Sequence, residues 1–240
     1  MNIGFACVAA LCVGLSKAGF SGISLISVFI FADLFGKNSV GLVLPLLIVA
    51  DLFVYPSFRA HGSWRQVWGL LAPAMVGLAI GWWVLVVIDD QQAKWGIGAS
   101  ILLMVGVQSL RLWNTERFDA LAHSRPFGIS AGVCGGMATM IANAAGPVVQ
   151  LYLISKRLPK MELLGISSRF FLLINVIKLP FNIQLQLIDK NTLLFNALLI
   201  PAVGIGIFCG RSFVRHVPQQ IFEALVLGFS TLAGIKLCFF

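Results

Sequence analysis

Charge is scarce in this sequence: Asp, Glu, Lys and Arg together make up 11% of its 240 residues. So few charges cannot solvate the surface of a water-soluble domain. Long polar breaks are lacking too, so no separate soluble domain of ordinary size fits between the apolar runs. Cysteine offers no metal set: Cys7, Cys12, Cys134, Cys209 and Cys238 lie inside apolar runs, with no CxxC pair and no adjacent histidine. They read as small core residues. His61, His123 and His216 fall in separate polar loops and read as solvated, so no metal or cofactor is expected. Catalytic constellations are absent as well. No HExxH occurs, no two intramembrane aspartates sit on separate helices, and no membrane-buried histidine is available to activate a serine, which argues against an enzyme. The first apolar run has neither a basic flank nor a small-residue cleavage site, so a removable signal peptide is not expected.

What is present is hydrocarbon. The chain is 59% hydrophobic with a mean hydropathy of +0.94, which marks an all-α integral membrane protein forming a single membrane domain over 1–240. The formal charge of +8 sits in loops between apolar segments, where membrane topology places Lys and Arg, so no nucleic-acid partner is expected. Apolar segments fall near 3–15, 23–35, 40–58, 67–88, 95–113, 127–142, 147–155, 163–181, 192–213 and 221–240. The first two, and the pair around 127–155, are too short to span. A run of about 13 residues is about 20 Å long, against a hydrocarbon core of about 30 Å. Each short pair is therefore one broken helix or a re-entrant hairpin.

An internal comparison bears on the choice. Sliding the chain by about 124 residues superposes Gly22 on Gly146, Gly41 on Gly165, Asp51 on Asn175 and Pro56 on Pro180, and Pro73 meets Pro201 after a slightly longer loop. The chain reads as two copies of one unit, repeat 1 over 1–115 and repeat 2 over 126–240, each a short pair followed by three long helices. If each pair crosses the bilayer once, the loop cations divide about eight against seven, with no bias. If each pair dips in and returns, Arg59, Arg65, Arg111, Arg117, Arg125, Lys156, Arg157, Lys160, Arg211 and Arg215 share one face. That leaves Lys37, Lys94, Lys178, Lys190 and Lys236 opposite. About ten against five favours the hairpins. The expected fold is two inverted repeats, each a re-entrant helical hairpin plus three transmembrane helices. Both termini lie outside and the Arg-rich loops in the cytoplasm.

Non-helical backbone at membrane depth is tolerated only where protein buries it or water reaches it, so the hairpin tips should line a cavity. The first tip, in "VGLSKAGFSG", offers Gly19 and Gly22 for turning, and Ser16 and Ser21 as donors, with a helix starting near Gly22. The second, "MIANAAGPVVQ", places Asn143 as an N-cap, Ala144 and Ala145 for close approach, Gly146 at the turn and Pro147 early in the next helix. Helix N-termini carry free N–H groups and partial positive charge, so two facing one another near the midplane suit an anion. Lys17 adds a full charge, at an insertion cost of roughly 2.5–3.5 kcal/mol if isolated at the bilayer centre. Two readings of Lys17 stand: it receives a negatively charged ligand, or it snorkels to a headgroup or neutralises Asp51. Asp51 lies about twelve residues into its helix and can hold the lysine between substrates or carry a coupling proton. In "LLGISSRFFLLINVIKLPF", Arg169, Asn175 and Lys178 extend the polar line. Asn175 is too short to reach the interface, whereas Arg169 and Lys178 can snorkel. Gly77, Gly81, Gly204, Gly206 and Gly210 suit close helix packing.

"GLSKAGFSG", together with "MIANAAGP", "YLIS" and "FFLLINVIKLP", resembles the paired repeat motifs of the TauE/SafE sulfite exporter family of anion permeases, in its lysine-bearing variant, over nearly the whole chain. The resemblance implies export or uptake of sulfite, organosulfonates or related sulfur-containing or carboxylate anions across the bacterial cytoplasmic membrane. The expected function is a secondary transporter, with H+ as a candidate coupling ion. The expected substrate-binding residues are Lys17, Gly19, Ser21, Gly22, Asn143, Ala145, Gly146 and Pro147, and the pathway residues Asp51, Arg169, Asn175 and Lys178. An anion channel, or a membrane subunit delivering an anion to a partner enzyme through "KRLPKME", are the alternatives.

Overall fold

The computed structural model describes residues 3–17, 23–113, 125–155, 158–213 and 219–239. Regular structure among them is helical throughout: α1 (Ile3–Lys17), α2 (Ile23–Phe35), a 3-10 turn (Gly36–Asn38), α3 (Ser39–Phe58), α4 (Trp64–Val87), α5 (Asp90–Trp113), α6 (Arg125–Ala142), α7 (Gly146–Ser155), α8 (Lys160–Gln184), α9 (Lys190–Phe213) and α10 (Gln219–Phe239). Five stretches have the length and apolar composition to cross a bilayer: 23–58, 64–87, 90–110, 161–184 and 190–210. The chain is a multi-pass integral membrane protein. α10, expected as a sixth crossing, runs 21 residues and is apolar over 227–239, where its side chains are described. Large apolar side chains such as Phe53, Trp83, Leu194 and Phe208 face outward, as a surface solvated by lipid requires.

The helix boundaries follow from local chemistry. Ser63 Oγ accepts from the N–H of Arg65 at 3.2 Å and caps α4. Asp89 and Gln92 exchange bonds of 2.7 and 3.1 Å in a capping box ahead of α5. Asp189 Oδ1 accepts from the hydroxyl and the N–H of Thr192, each at 2.7 Å, ahead of α9. The Thr192 hydroxyl first, then its N–H, holds the Asp189 carboxyl below its usual range. Between α2 and α3 the chain bends at Gly36, whose φ of +55° suits glycine. The corner is tied to the next loop: Asp90 Oδ1 accepts from Lys37 N–H, and Lys37 Nζ donates to Ile88 O, both at 2.7 Å.

Packing pairs helices from the two halves. α4 lies along α6, α1 along α9, α5 along α10 and α3 along α8. At the first two contacts glycine lets backbones meet: a Cβ on Gly77 would strike Val133 O, and one on Gly206 would strike Leu11 O. A Cβ on Gly81 would lie less tightly against the Cβ of Met140, at 2.8 Å, and Gly204 has open space where a Cβ would go, so among the described residues it is not a packing position. α3 and α8 run antiparallel. Gly41 near the start of α3 meets Leu187 just past the end of α8, and His61 just past α3 meets Gly165 near the start of α8. One apolar cluster surrounds Phe31, Leu46 and Val203 where α1, α3 and α9 meet. A larger one holds Leu70, Leu78, Ile101, Met140 and Phe170. α3 and α8 lie between them.

Candidate functional site

Midway along that antiparallel pair, Asp51 is 2% exposed and both of its oxygens are occupied. Lys17 Nζ stands 2.7 Å from Oδ1, and Asn175 Nδ2 donates to Oδ2 at 2.8 Å. Lys17 is the last residue of α1, where the unpaired carbonyls of a helix end favour a cation. Its ammonium also lies 4.6 Å from the centroid of the Phe171 ring, a cation–π contact. The expected neutralisation of Asp51 is thus present. Lys17 does not snorkel.

Lys178 is fully buried and does not snorkel either. Its Nζ bonds Thr139 O at 2.7 Å, Thr139 Oγ1 at 3.1 Å and Asn143 Oδ1 at 2.5 Å. Asn143 turns its other end to Val40, donating from Nδ2 to the carbonyl at 3.0 Å. These bonds join α3, α6 and α8. Asn143 is not the N-cap of α7. Its φ is +53° and its N–H bonds Thr139 O at 3.0 Å, the left-handed termination of α6 that asparagine tolerates nearly as well as glycine. The local sequence puts Asn between two helices, and either cap satisfies that pattern; Lys178 and Val40 decide it by holding the side chain.

Around these groups lies a cavity of ≈ 80 Å³, large enough for a few waters or a small oxyanion. Ser16 and Lys17 enter from the end of α1, Ser24 from the first turn of α2, Asp51 from α3, Thr139 from α6, Gly146 and Gln150 from the start of α7, and Ser167, Ser168, Phe171 and Asn175 from α8. Asn143 closes the α6–α7 break beside it. Among the described residues, three polar atoms of the wall are buried without a protein partner: the hydroxyls of Ser167 and Ser168 and Oδ1 of Asn175. Such groups cost about 1–3 kcal/mol each unless something enters to bond them.

The cavity brings together Lys17, Asp51, Asn143, Gly146 and Asn175 of the expected residues, and Lys178 stands behind it on Thr139 and Asn143. Arg169 is elsewhere. Its guanidinium donates to Gly62 O and Arg59 O, both at 2.5 Å, and its Cζ lies 4.9 Å from the Trp64 ring centroid, so it ties α8 to the α3–α4 corner. Ala145 is packed in the larger apolar cluster. Gly19, Ser21 and Gly22 lie outside the described residues, as does the side chain of Pro147. Ser24, Thr139, Gln150, Ser167 and Ser168 were not anticipated. The signal for the last two was the doublet in "GISSRF", one helical turn ahead of Phe171 and two ahead of Asn175.

A lysine, a carboxylate whose oxygens are already taken by two donors, and several hydroxyl and amide groups around a small polar cavity suit a small negative ligand, because the wall offers donors and no unoccupied anion to repel it. The family model described as Sulfite exporter TauE/SafE matches residues 6–237, nearly the whole chain. No curated protein and no solved structure matches it.

Proposed function

The chain belongs to the TauE/SafE sulfite exporter family, a family of membrane transporters of sulfur anions, and on that premise we propose that it carries a small sulfur-containing anion, a sulfite or sulfonate, bound in the cavity between α1, α3, α6 and α8. The observation that carries this reading is the unpartnered hydroxyl pair of Ser167 and Ser168 facing a cavity that also holds Lys17. Hydroxyls donate to the anion oxygens, and the Lys17 ammonium, held in place by Asp51, adds a charged donor. The first turns of α2 and α7 both reach the wall through Ser24 and Gly146, so the positive ends of these helices add to the attraction.

The inverted-repeat plan, with repeats over 1–115 and 126–240, accounts for the way the helices pair. Exchanging the halves turns the α1–α9 contact into α6–α4 and the α2–α10 contact into α7–α5, all four of which occur. The central pair α3–α8 maps onto itself. Parity supports re-entrant hairpins: with three crossings per half and a hairpin that returns to its own side, α8 must run opposite to α3, whereas a pair that crossed would make them parallel. Their contacts are antiparallel. In this plan the protein sits in the bacterial cytoplasmic membrane with both termini outside. On α8 the cavity wall runs from Asn175 back to Leu164 and on α3 forward to Phe58, while Lys178, Asn143 and Val40 bond across the other side. A site walled off at one end supports a carrier with alternating access over a channel.

Removing Lys17 alone tests this poorly. The buried Asp51 would lose its counter-ion at a cost of about 3–5 kcal/mol, and misfolding would mimic loss of transport. The paired variant Lys17→Ala with Asp51→Asn keeps the site neutral. In proteoliposomes it should insert and unfold cooperatively yet pass no sulfite or sulfonate, and the rise in thermal midpoint that these anions give the unaltered protein should vanish. Undiminished flux would take Lys17 out of the site.

A further inference from the structure

Among the described residues, Lys178 is the one cation of the site that no carboxylate touches. Asp51 is taken up by Lys17 and Asn175, and the three atoms around the Lys178 Nζ are neutral: a carbonyl, an amide oxygen and a hydroxyl. That set has a particular property. An ammonium satisfies all three by donating three hydrogen bonds. A neutral amine satisfies them equally, donating to Thr139 O and Asn143 Oδ1 and accepting from the Thr139 hydroxyl, which can turn to donate. Neither protonation state leaves a buried polar atom unpaired. The charged one alone is costly, since a lone ammonium in a fully enclosed place has nothing to balance it.

The charges facing it are few. Of the helices around the site, α1 brings Lys17 and α3 brings Asp51, which cancel one another; α4, α6 and α7 set no charged side chain against Nζ among the described residues. With Lys178 neutral, the empty site has no net charge. An anion entering the cavity beside Thr139 and Asn143 would make it −1, and a proton on Lys178 returns it to zero. Asp51 cannot easily take that proton, because each of its oxygens already accepts a hydrogen bond from another helix.

From these contacts, and given the anion site proposed above, we propose that Lys178 carries the coupling proton. The amine takes up H+ from cavity water as the anion binds, the resulting ammonium crosses the conformational change with its guest, and it returns the proton to water when the anion leaves on the other side. Both states that must rearrange within the lipid, empty and loaded, are then electrically neutral, which is the condition for avoiding the cost of moving charge through hydrocarbon. Anion and proton travel in the same direction. Corresponding positions in the other half are uncharged: Val54 answers Lys178 at the spacing that pairs Asp51 with Asn175. The shared helix packing therefore does not itself demand a lysine.

The test counts protons taken up on anion binding, by titration calorimetry of the full chain near neutral pH in buffers of different ionisation enthalpy. The probes are methanesulfonate and thiosulfate, which do not themselves bind protons in that range, so any proton that disappears belongs to the protein. About one proton per methanesulfonate is expected, falling to near zero in Lys178→Met while the anion still binds. Binding by the unaltered protein with no proton taken up overturns the role of Lys178 and leaves the anion site standing; failure of both probes to bind overturns the anion site itself. Should Lys178→Met not fold, Lys178→Arg decides: a guanidinium stays charged, so anion binding with no proton taken up supports Lys178, and uptake that persists overturns the inference.

Discussion

Asp51 depends on neighbours from two other helices, and each side of that dependence can be measured. In Asn175→Leu the carboxylate keeps Lys17 but loses the donor to Oδ2, which should cost about 1–3 kcal/mol, seen as a lower thermal midpoint in detergent. Ser167→Ala and Ser168→Ala should behave in the opposite way. Their hydroxyls bond nothing among the described residues, so stability should stay within about 0.5 kcal/mol. The affinity for a sulfonate should fall several-fold, as the loss of a hydrogen bond worth about 0.5–1.5 kcal/mol implies. Equal affinity in both serine variants would show that the hydroxyls do not reach the anion. At this scale the sequence was readable where a residue type is expensive in lipid. Lys17 and Asp51 had to find partners, and Asn175 was too short to escape. It was unreadable where an inexpensive residue does the bonding, since a serine in an apolar helix ordinarily turns its hydroxyl to its own backbone.

Helices in this molecule approach one another through glycine, and four of the closest contacts fall on α1–α9 and α4–α6. Gly77→Leu would drive a side chain into Val133 O, and Gly206→Leu one into Leu11 O, so both should separate their helix pairs and lower folded yield. Gly204→Ala, which meets open space, should unfold within a few degrees of the unaltered protein. A similar loss in all three variants would make the effect one of composition and remove the close contacts from the account. Helix positions were legible because apolar runs and short polar breaks leave little choice, and the observed bounds differ from the expected ones by only a few residues at ends such as Trp64 and Asp90. The direction of Asn143 was not legible. An asparagine between two helices fits the end of one as well as the start of the next, and only Lys178 from a distant helix fixes which.

Across the whole chain the distribution of positive charge predicts that the α3–α4 corner and the α8–α9 corner lie on opposite faces of the membrane. In a background with the five cysteines replaced, His61→Cys should react with an impermeant maleimide only from the cytoplasm, and Asn191→Cys only from outside. Labelling of both from one face would break the parity on which the returning hairpins rest. The duplicated plan we propose rests on the spacing of a few residues, because glycine and proline mark backbone geometry that helix packing cannot do without. The fit between the halves could not, because it depends on which side chains meet. The bond from Asn175 to Asp51 joins positions 124 residues apart, the same offset that superposes the two proposed copies. Two identical polypeptides facing each other across a symmetry axis would have to place the same residue on both sides there, either a repelling pair of acids sharing a hydrogen or two amides with no charge at all. In the proposed plan one continuous chain lifts that restriction, so a fixed anion and its own donor can occupy the axis together, and the two halves can differ in a way that no symmetric dimer allows.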